Sequence, residues 1–254
     1  MESQLSRWPS SRGSRLRRLR HSRFHTIKPS SPTANSMTFR FAGPRRFTAN
    51  NHTLKECVAF AYTLSLPLII GGPPWIDSDR YDIVGEIAGE TRPPLEQVLV
   101  MFQGLLADRF QLKFHREPQE RPVYNLVLAK TELKVKENTG GPGQPPALMY
   151  GPAGPRALRL PARNTTMPAF AALMQRTILD RPVIDKTGLT GRYDFDLEWR
   201  IDGTQMDRGP APAGFESDKP DIFTALRELG LRLEPSRGQV EVLVIDHVAK
   251  PDEN

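Results

Sequence analysis

Residues 181–199 read RPVIDKTGLTGRYDFDLEW, and the second half of this stretch decides the fold class. From Tyr193 to Trp199, aromatic and aliphatic residues alternate with Asp194, Asp196 and Glu198, the period of a strand with one buried and one solvated face. Gly188 to Gly191 reads as a turn ahead of it, and Arg181 to Ile184 as a short strand. On the N-terminal side, Thr166 precedes Met167, Phe170, Ala171, Met174 and Ile178, spaced along one face of a helix. On the C-terminal side, Pro220 opens a helix carrying Ile222, Ala225, Leu226 and Leu229. Two strands, Leu231 to Glu234 and Gln239 to Val248, follow it.

A similar order of elements stands earlier in the chain. After one or two strands between Phe24 and Thr48, Thr53-Leu54-Lys55-Glu56 reads as a capping box before a helix with Leu54, Cys57, Val58 and Ala61 on one face. Gly71-Gly72-Pro73-Pro74 breaks regular structure, and Tyr81 to Ala88 reads as a strand. Behind Pro93 and Pro94 comes a helix striped with Leu95, Val98, Leu99, Phe102, Leu105 and Leu106. A hairpin of Phe110 to Phe114 and Val123 to Ala129 closes the series. Asn51-His52-Thr53-Leu54 aligns with Asn164-Thr165-Thr166-Met167, Arg80-Tyr81-Asp82-Ile83 with Arg192-Tyr193-Asp194-Phe195, and Leu112-Lys113-Phe114 with Leu233-Glu234-Pro235, at offsets of 113, 112 and 121. So short a string as Arg-Tyr-Asp also recurs by chance; the shared element order is what favours duplication.

The expectation is therefore an α+β fold of two related β-α-β-α-β-β halves, each with two helices on a small mixed sheet. The halves span 24–137 and 156–254 and are joined by a Gly/Pro-rich linker, 138–155. Residues 1–23 precede them as a disordered basic arm, and a second Gly/Pro-rich stretch runs from Asp202 to Asp218.

Charge and composition exclude several classes. The chain has 254 residues, 35 Lys and Arg against 29 Asp and Glu, and one cysteine, which rules out a disulfide framework. The net charge of +6 resides in residues 1–23, with seven Arg and one Glu, leaving the remainder balanced. Such an arm meets phosphates through counterion release without reading sequence, so no specific nucleic acid is expected. The longest apolar stretch, Leu64 to Ile70, is interrupted by Ser65 and Pro67 and is far below the ~20 residues of a spanning helix, so no transmembrane segment is expected. Residues 1–23 carry the basic start of an export signal without its apolar run.

Candidate chemistry is sparse. Asp194, Asp196 and Glu198 project from one strand face at about 7 Å intervals, able in principle to share a proton or a cation, and equally readable as a solvated face. No zinc site is assigned to the five histidines, and the adjacent Asp246 and His247 point to opposite faces. Cys57 lies in an apolar stripe, where a thiol behaves as a small hydrophobe. Hydrolase elbow, Walker and dinucleotide-binding patterns are absent. No catalytic, metal or cofactor residue is assigned, and no cofactor is expected. The candidate binding surface comprises two aligned loops, Trp75, Asp77, Asp79 and Arg80 in the first and Asp185, Lys186, Thr187 and Arg192 in the second. An indole with paired charges suits a protein or glycan partner. The same residues would also serve a capped, ion-paired turn.

The strings GGPPWIDSDRYDI (71–83), RPVIDKTGLTGRYDFDLEW (181–199) and VEVLVIDHVAKPDEN (240–254) resemble those of an uncharacterised bacterial domain family expanded in Acidobacteria, the Solibacter-type proteins of unknown function. FHTIKPS (24–30) and RFTANNHTLKE (46–56) resemble that family's opening segments. The resemblance implies an exported, envelope-located protein and brings no activity with it. The unit around 166–199 is also similar, locally, to the short N-terminal domains of secretins and TonB-dependent receptors, which bind partner proteins. The function expected is thus a non-enzymatic binding or protein-interaction module of the cell envelope. The alternatives are a hydrolase using the 194–198 carboxylates and a sensor domain regulating an envelope peptidase.

Overall fold

The structure is a computed structural model that describes residues 23–34, 36–86, 93–140, 146–154, 156–201 and 217–252. The expected basic arm, apart from Arg23, and nearly all of the 202–218 stretch lie outside the described residues.

Strands β1 (Arg23–Pro29), β2 (Thr38–Phe41) and β3 (Arg46–Thr53) lead into helix α1 (Leu54–Tyr62). After a 3-10 turn at Leu66–Leu68 come β4 (Ile69–Gly71), the single-turn α2 (Trp75–Ser78), β5 (Arg80–Glu86), α3 (Leu95–Arg109) and the long β6 (Lys113–Leu128). Short pieces β7 (Lys136–Glu137), β8 (Ala147–Leu148) and β9 (Gly151–Pro152) precede β10 (Ala157–Thr165) and α4 (Met167–Thr177). The described chain continues through β11 (Val183–Asp185), β12 (Tyr193–Arg200), α5 (Ile222–Glu228) and the long β13 (Leu231–His247). The fold is α+β. It divides into two compact units that interleave in sequence: the first takes the chain up to Tyr62, Gly71–His115 and Val244 onward, and the second takes Thr63–Ile70 and Arg116–Leu243.

In the first unit an antiparallel sheet runs in the order β1-β5-β3-β2. Helix α1 starts where the capping box predicts: Glu56 N donates to Thr53 Oγ1 at 3.2 Å, and Thr53 N to Glu56 Oε2 at 2.9 Å. Two of the helix's orphan amides are thereby satisfied. It buries Leu54, Cys57, Val58 and Ala61, the expected stripe. Helix α3 buries Val98, Met101, Phe102, Leu105 and Leu106, whereas Leu95, expected in the stripe, sits in the first turn and is 54% exposed. Rings fill the interior between them: Phe39 stacks on Phe60 at 4.1 Å, and Phe47 meets Phe102 edge-on at 5.6 Å.

The second unit holds a sheet in the order β7-β12-β10-β8, with β9 also on β10, and a second sheet ordered β11-β6-β13-β4. Strand β12 alternates as read, burying Tyr193, Phe195, Leu197 and Trp199. Its inner face packs on α4, where Phe170 meets Phe195 edge-on at 5.1 Å. Thr166 caps α4 by accepting from Ala169 N at 3.3 Å, and Asp221 caps α5 by accepting from Thr224 N at 3.0 Å. The segment expected as a linker contributes β8 and β9, two short edge pieces paired with β10.

Two expectations need correction. The hairpin expected at 110–129 and the two strands expected over 231–248 are the single strands β6 and β13. Their polar middles stay extended because neighbouring strands complete the ladder, with Arg116 to Glu241 and Arg237 to Glu120 both paired at 2.6 Å. Pro118 and Pro235 fit an extended backbone and did not mark turns. The recurring order, ignoring α2, is therefore β-α-β-β-α-β, as in β3-α1-β4-β5-α3-β6 and β10-α4-β11-β12-α5-β13. Among the described residues no helix is long and apolar enough to cross a membrane.

Candidate functional site

Both Arg-Tyr-Asp strings build the same backbone clasp. The register of β3 on β5 slips between Ala49 and His52, and that of β10 on β12 between Ala162 and Thr165. At each slip an asparagine takes a left-handed backbone, Asn51 at φ 57° and Asn164 at φ 49°. Asparagine is one of the few residues with a side chain that visits this region routinely. Asn51 N donates to Asp82 Oδ1 at 2.9 Å, while Arg80 Nη1 donates to Asn51 O at 2.7 Å. Asn164 N donates to Asp194 Oδ1 at 2.7 Å, while Arg192 Nη1 donates to Asn164 O at 2.9 Å. The flanks repeat as well. Ser30 N reaches Arg80 O at 2.8 Å and Asn138 N reaches Arg192 O at 2.7 Å. Ser30 Oγ and Asn138 Nδ2 then donate to the Asp82 and Asp194 carboxylates at 2.7 and 2.8 Å. Pro29 pairs with Tyr81 as Glu137 pairs with Tyr193, so Lys136-Glu137-Asn138 is the counterpart of Lys28-Pro29-Ser30. Arg80 and Arg192 are thus positioning residues for a bulge, the ion-paired-turn alternative left open by the sequence.

The first candidate loop sits in the first unit around α2. Trp75 is half-buried, and Lys250 Nζ lies 5.6 Å from its ring centroid. Asp77 pairs with Lys55 at 2.9 Å, and Asp79 with Lys250 at 2.7 Å. The hydrogen bond from Lys250 holds the Asp79 carboxyl below its usual range. Beside these residues a groove of about 560 Å³ opens between the end of β1, the Ser30–Ala34 turn, the Asp79-Arg80-Tyr81 corner and Lys250-Pro251. Asp79 and Arg80 line it; Trp75 and Asp77 stand next to its lining.

The second loop is built into its own unit. Asp185 Oδ1 accepts from Thr187 N at 2.9 Å and Thr187 Oγ1 at 2.7 Å, and Thr187 Oγ1 accepts from Leu189 N at 3.1 Å. Together with Gly188 at φ 72°, these bonds make Asp185 and Thr187 turn-forming residues, and Thr187 is buried. Lys186 keeps its backbone on Leu126 O at 2.8 Å and its side chain in solvent.

The remaining candidates are committed to neighbours. Asp194 is in the clasp, Asp196 bonds Arg163 at 2.8 Å and Arg159 at 3.1 Å, and Glu198 pairs with Lys219 at 2.8 Å. Hydrogen bonds from Asn138 and from Asn164 N hold Asp194 below the usual carboxylate range. Burial pushes Asp196 upward, yet the bonds from Arg163 and Arg159 outweigh it and leave it lowered. A general acid needs the opposite displacement. Among the described residues no three His, Cys, Asp or Glu side chains gather as a metal site. Burial drives the Cys57 thiol far up, away from the reactive thiolate. The reading of the histidines missed two contacts: His52 Nδ1 lies 3.2 Å from Glu56 Oε2, four residues on, and His115 Nδ1 lies 2.8 Å from Asp246 Oδ1, because β6 and β13 are neighbours. The groove itself left no signal in the sequence, since its walls come from segments near residues 30, 80 and 250.

A sequence model for the family described as "Protein of unknown function (DUF3738)" matches residues 55–248. No curated protein and no solved structure matches the chain.

Proposed function

Because the chain belongs to the DUF3738 family, whose function is unknown, we propose its role from geometry: a non-enzymatic module that captures a protein partner in the groove of the first unit. The observation that carries this reading is the groove itself, about 560 Å³ and within the range of ligand clefts, with Trp75 behind its lining residue Lys250. The three carboxylates of β12, each already bound to basic or amide neighbours, favour binding over hydrolysis. A protein partner is preferred to a glycan because Tyr81, the one aromatic among the described lining residues, is only 5% exposed and offers no open ring face. The resemblance of residues 24–30 and 46–56 to the opening segments of exported proteins supports an envelope location.

The test is affinity capture from envelope and cytosolic extracts with the wild-type chain and with Trp75→Ala. The substitution is expected to weaken retention of an envelope protein by about 2 kcal/mol while leaving the unfolding midpoint nearly unchanged. Equal retention by both chains would overturn the groove as the site. Turnover of a substrate, abolished by Asp194→Asn, would overturn the non-enzymatic reading.

A further inference from the structure

We infer that the groove takes an acidic peptide segment in extended form, its carboxylates held by Lys28, Arg80 and Lys250. The inference rests on the binding role proposed above and names the chemistry of the partner. Three cationic side chains line the groove against one carboxylate, Asp79. With Glu56 behind Arg80 counted too, three cations face two carboxylates, a local excess of one positive charge in a chain balanced beyond residue 23.

Arg80 is the rigid member. Its Nη1 is tied to Asn51 O at 2.7 Å and lies 3.6 Å from Glu56 Oε2, yet the side chain is 39% exposed. A guanidinium fixed through one donor presents its other donors with little ordering cost left to meet. Lys250 is the exchangeable member. Its bond to Asp79, 2.7 Å long, joins a lysine 60% exposed to an aspartate 36% exposed, a solvent-screened pair that holds the lysine weakly. An incoming carboxylate can replace Asp79 on the ammonium while Lys250 stays over the Trp75 ring. Lys28 is an exposed member of the lining, contributed by β1.

The extended form follows from what surrounds the charges. Among the described residues β1 is an edge strand of its sheet, and Ile27, Lys28 and Pro29 of that edge line the groove. An edge strand is where an extended peptide adds its own backbone. Pro32 and Pro251 contribute apolar ring surface without an amide donor.

The probe is a displayed library of random dodecapeptides, selected on the immobilised full chain at low salt. Enriched peptides are then synthesised and their affinity measured by fluorescence anisotropy. The selected peptides should be rich in Asp and Glu, and raised salt should weaken them. Lys28→Ala and Lys250→Ala should each lower affinity about three- to five-fold, the size of one exposed ion pair. Asp79→Asn should raise affinity, because it frees Lys250 from an internal competitor; a merely structural Asp79 would give no gain. Neutral or basic winners that are lost in Trp75→Ala overturn the acidic ligand and leave the binding role standing. Winners indifferent to Lys28, Lys250, Asp79 and Trp75 alike overturn both, and so does enrichment of nothing above the blank support.

Discussion

At Asn51 and Asn164 the backbone turns left-handed because a carboxylate receives the amide and a guanidinium holds the carbonyl, so neither polar group is left unsatisfied beside a core. Asp82 serves two donors, Asn51 N and Ser30 Oγ. Asp82→Ala is therefore expected to destabilise the chain by about 1–3 kcal/mol, read from the urea midpoint. Its counterpart predicts a pH effect. Hydrogen bonds from Asn138 and Asn164 N lower the folded-state pKa of Asp194 from the ordinary 3.8. The stabilisation is thus complete above about 3.8 and lost as pH falls through the lower folded value. Asp194→Asn should flatten the acid limb of the urea-midpoint profile, and an acid limb unchanged from wild type would remove Asp194 from the clasp's energetics.

At the scale of elements, Gly230 follows α5 at φ 82°, and a Cβ there would lie 2.5 Å from Glu132 O and 2.6 Å from Leu133 Cα. Both obstacles are backbone, so Gly230→Ala is expected to cost about 2 kcal/mol or more, measured by thermal or urea unfolding. What could be read in advance at this scale was local. The capping box at Thr53–Glu56 and the alternation of β12 are complete within a few residues, so periodicity and cap chemistry revealed them. Strand β10 escaped notice because Pro161 stands in its middle and Arg159 and Arg163 flank it; its partner β12 supplies the reason to be extended. The long strands escaped for a related reason, since the polar residues 115–122 look like a turn until β13 is placed beside them. The groove divides the same way. Asp79 and Arg80 could be picked out within one loop, whereas Lys28 and Lys250 acquire meaning only when the chain folds back on itself.

At the scale of the whole molecule, the repetition of the clasp down to its flanking Ser30 and Asn138 supports the proposal that the chain arose by duplication. An experimental structure should superpose 53–129 on 166–248 with α1 on α4 and α3 on α5; reversed strand order in one half would refute it. The interleaving of the units has a consequence for synthesis. Ordinarily the N-terminal part of a protein folds first as it leaves the ribosome. Here the first unit includes Val244 onward: Ile245 is buried in it, Ala249 N bonds Phe110 O at 2.8 Å, and Arg109 reaches Asp252 O at 3.2 Å. The nascent first unit therefore lacks part of itself until the chain beyond Val244 has emerged, while the second has every residue it needs once Leu243 has emerged. A chain stopped at Leu243 should let iodoacetamide reach Cys57 and keep the buried emission of Trp199, and a protected thiol in that chain would show that the returning segment is dispensable for closing the first unit.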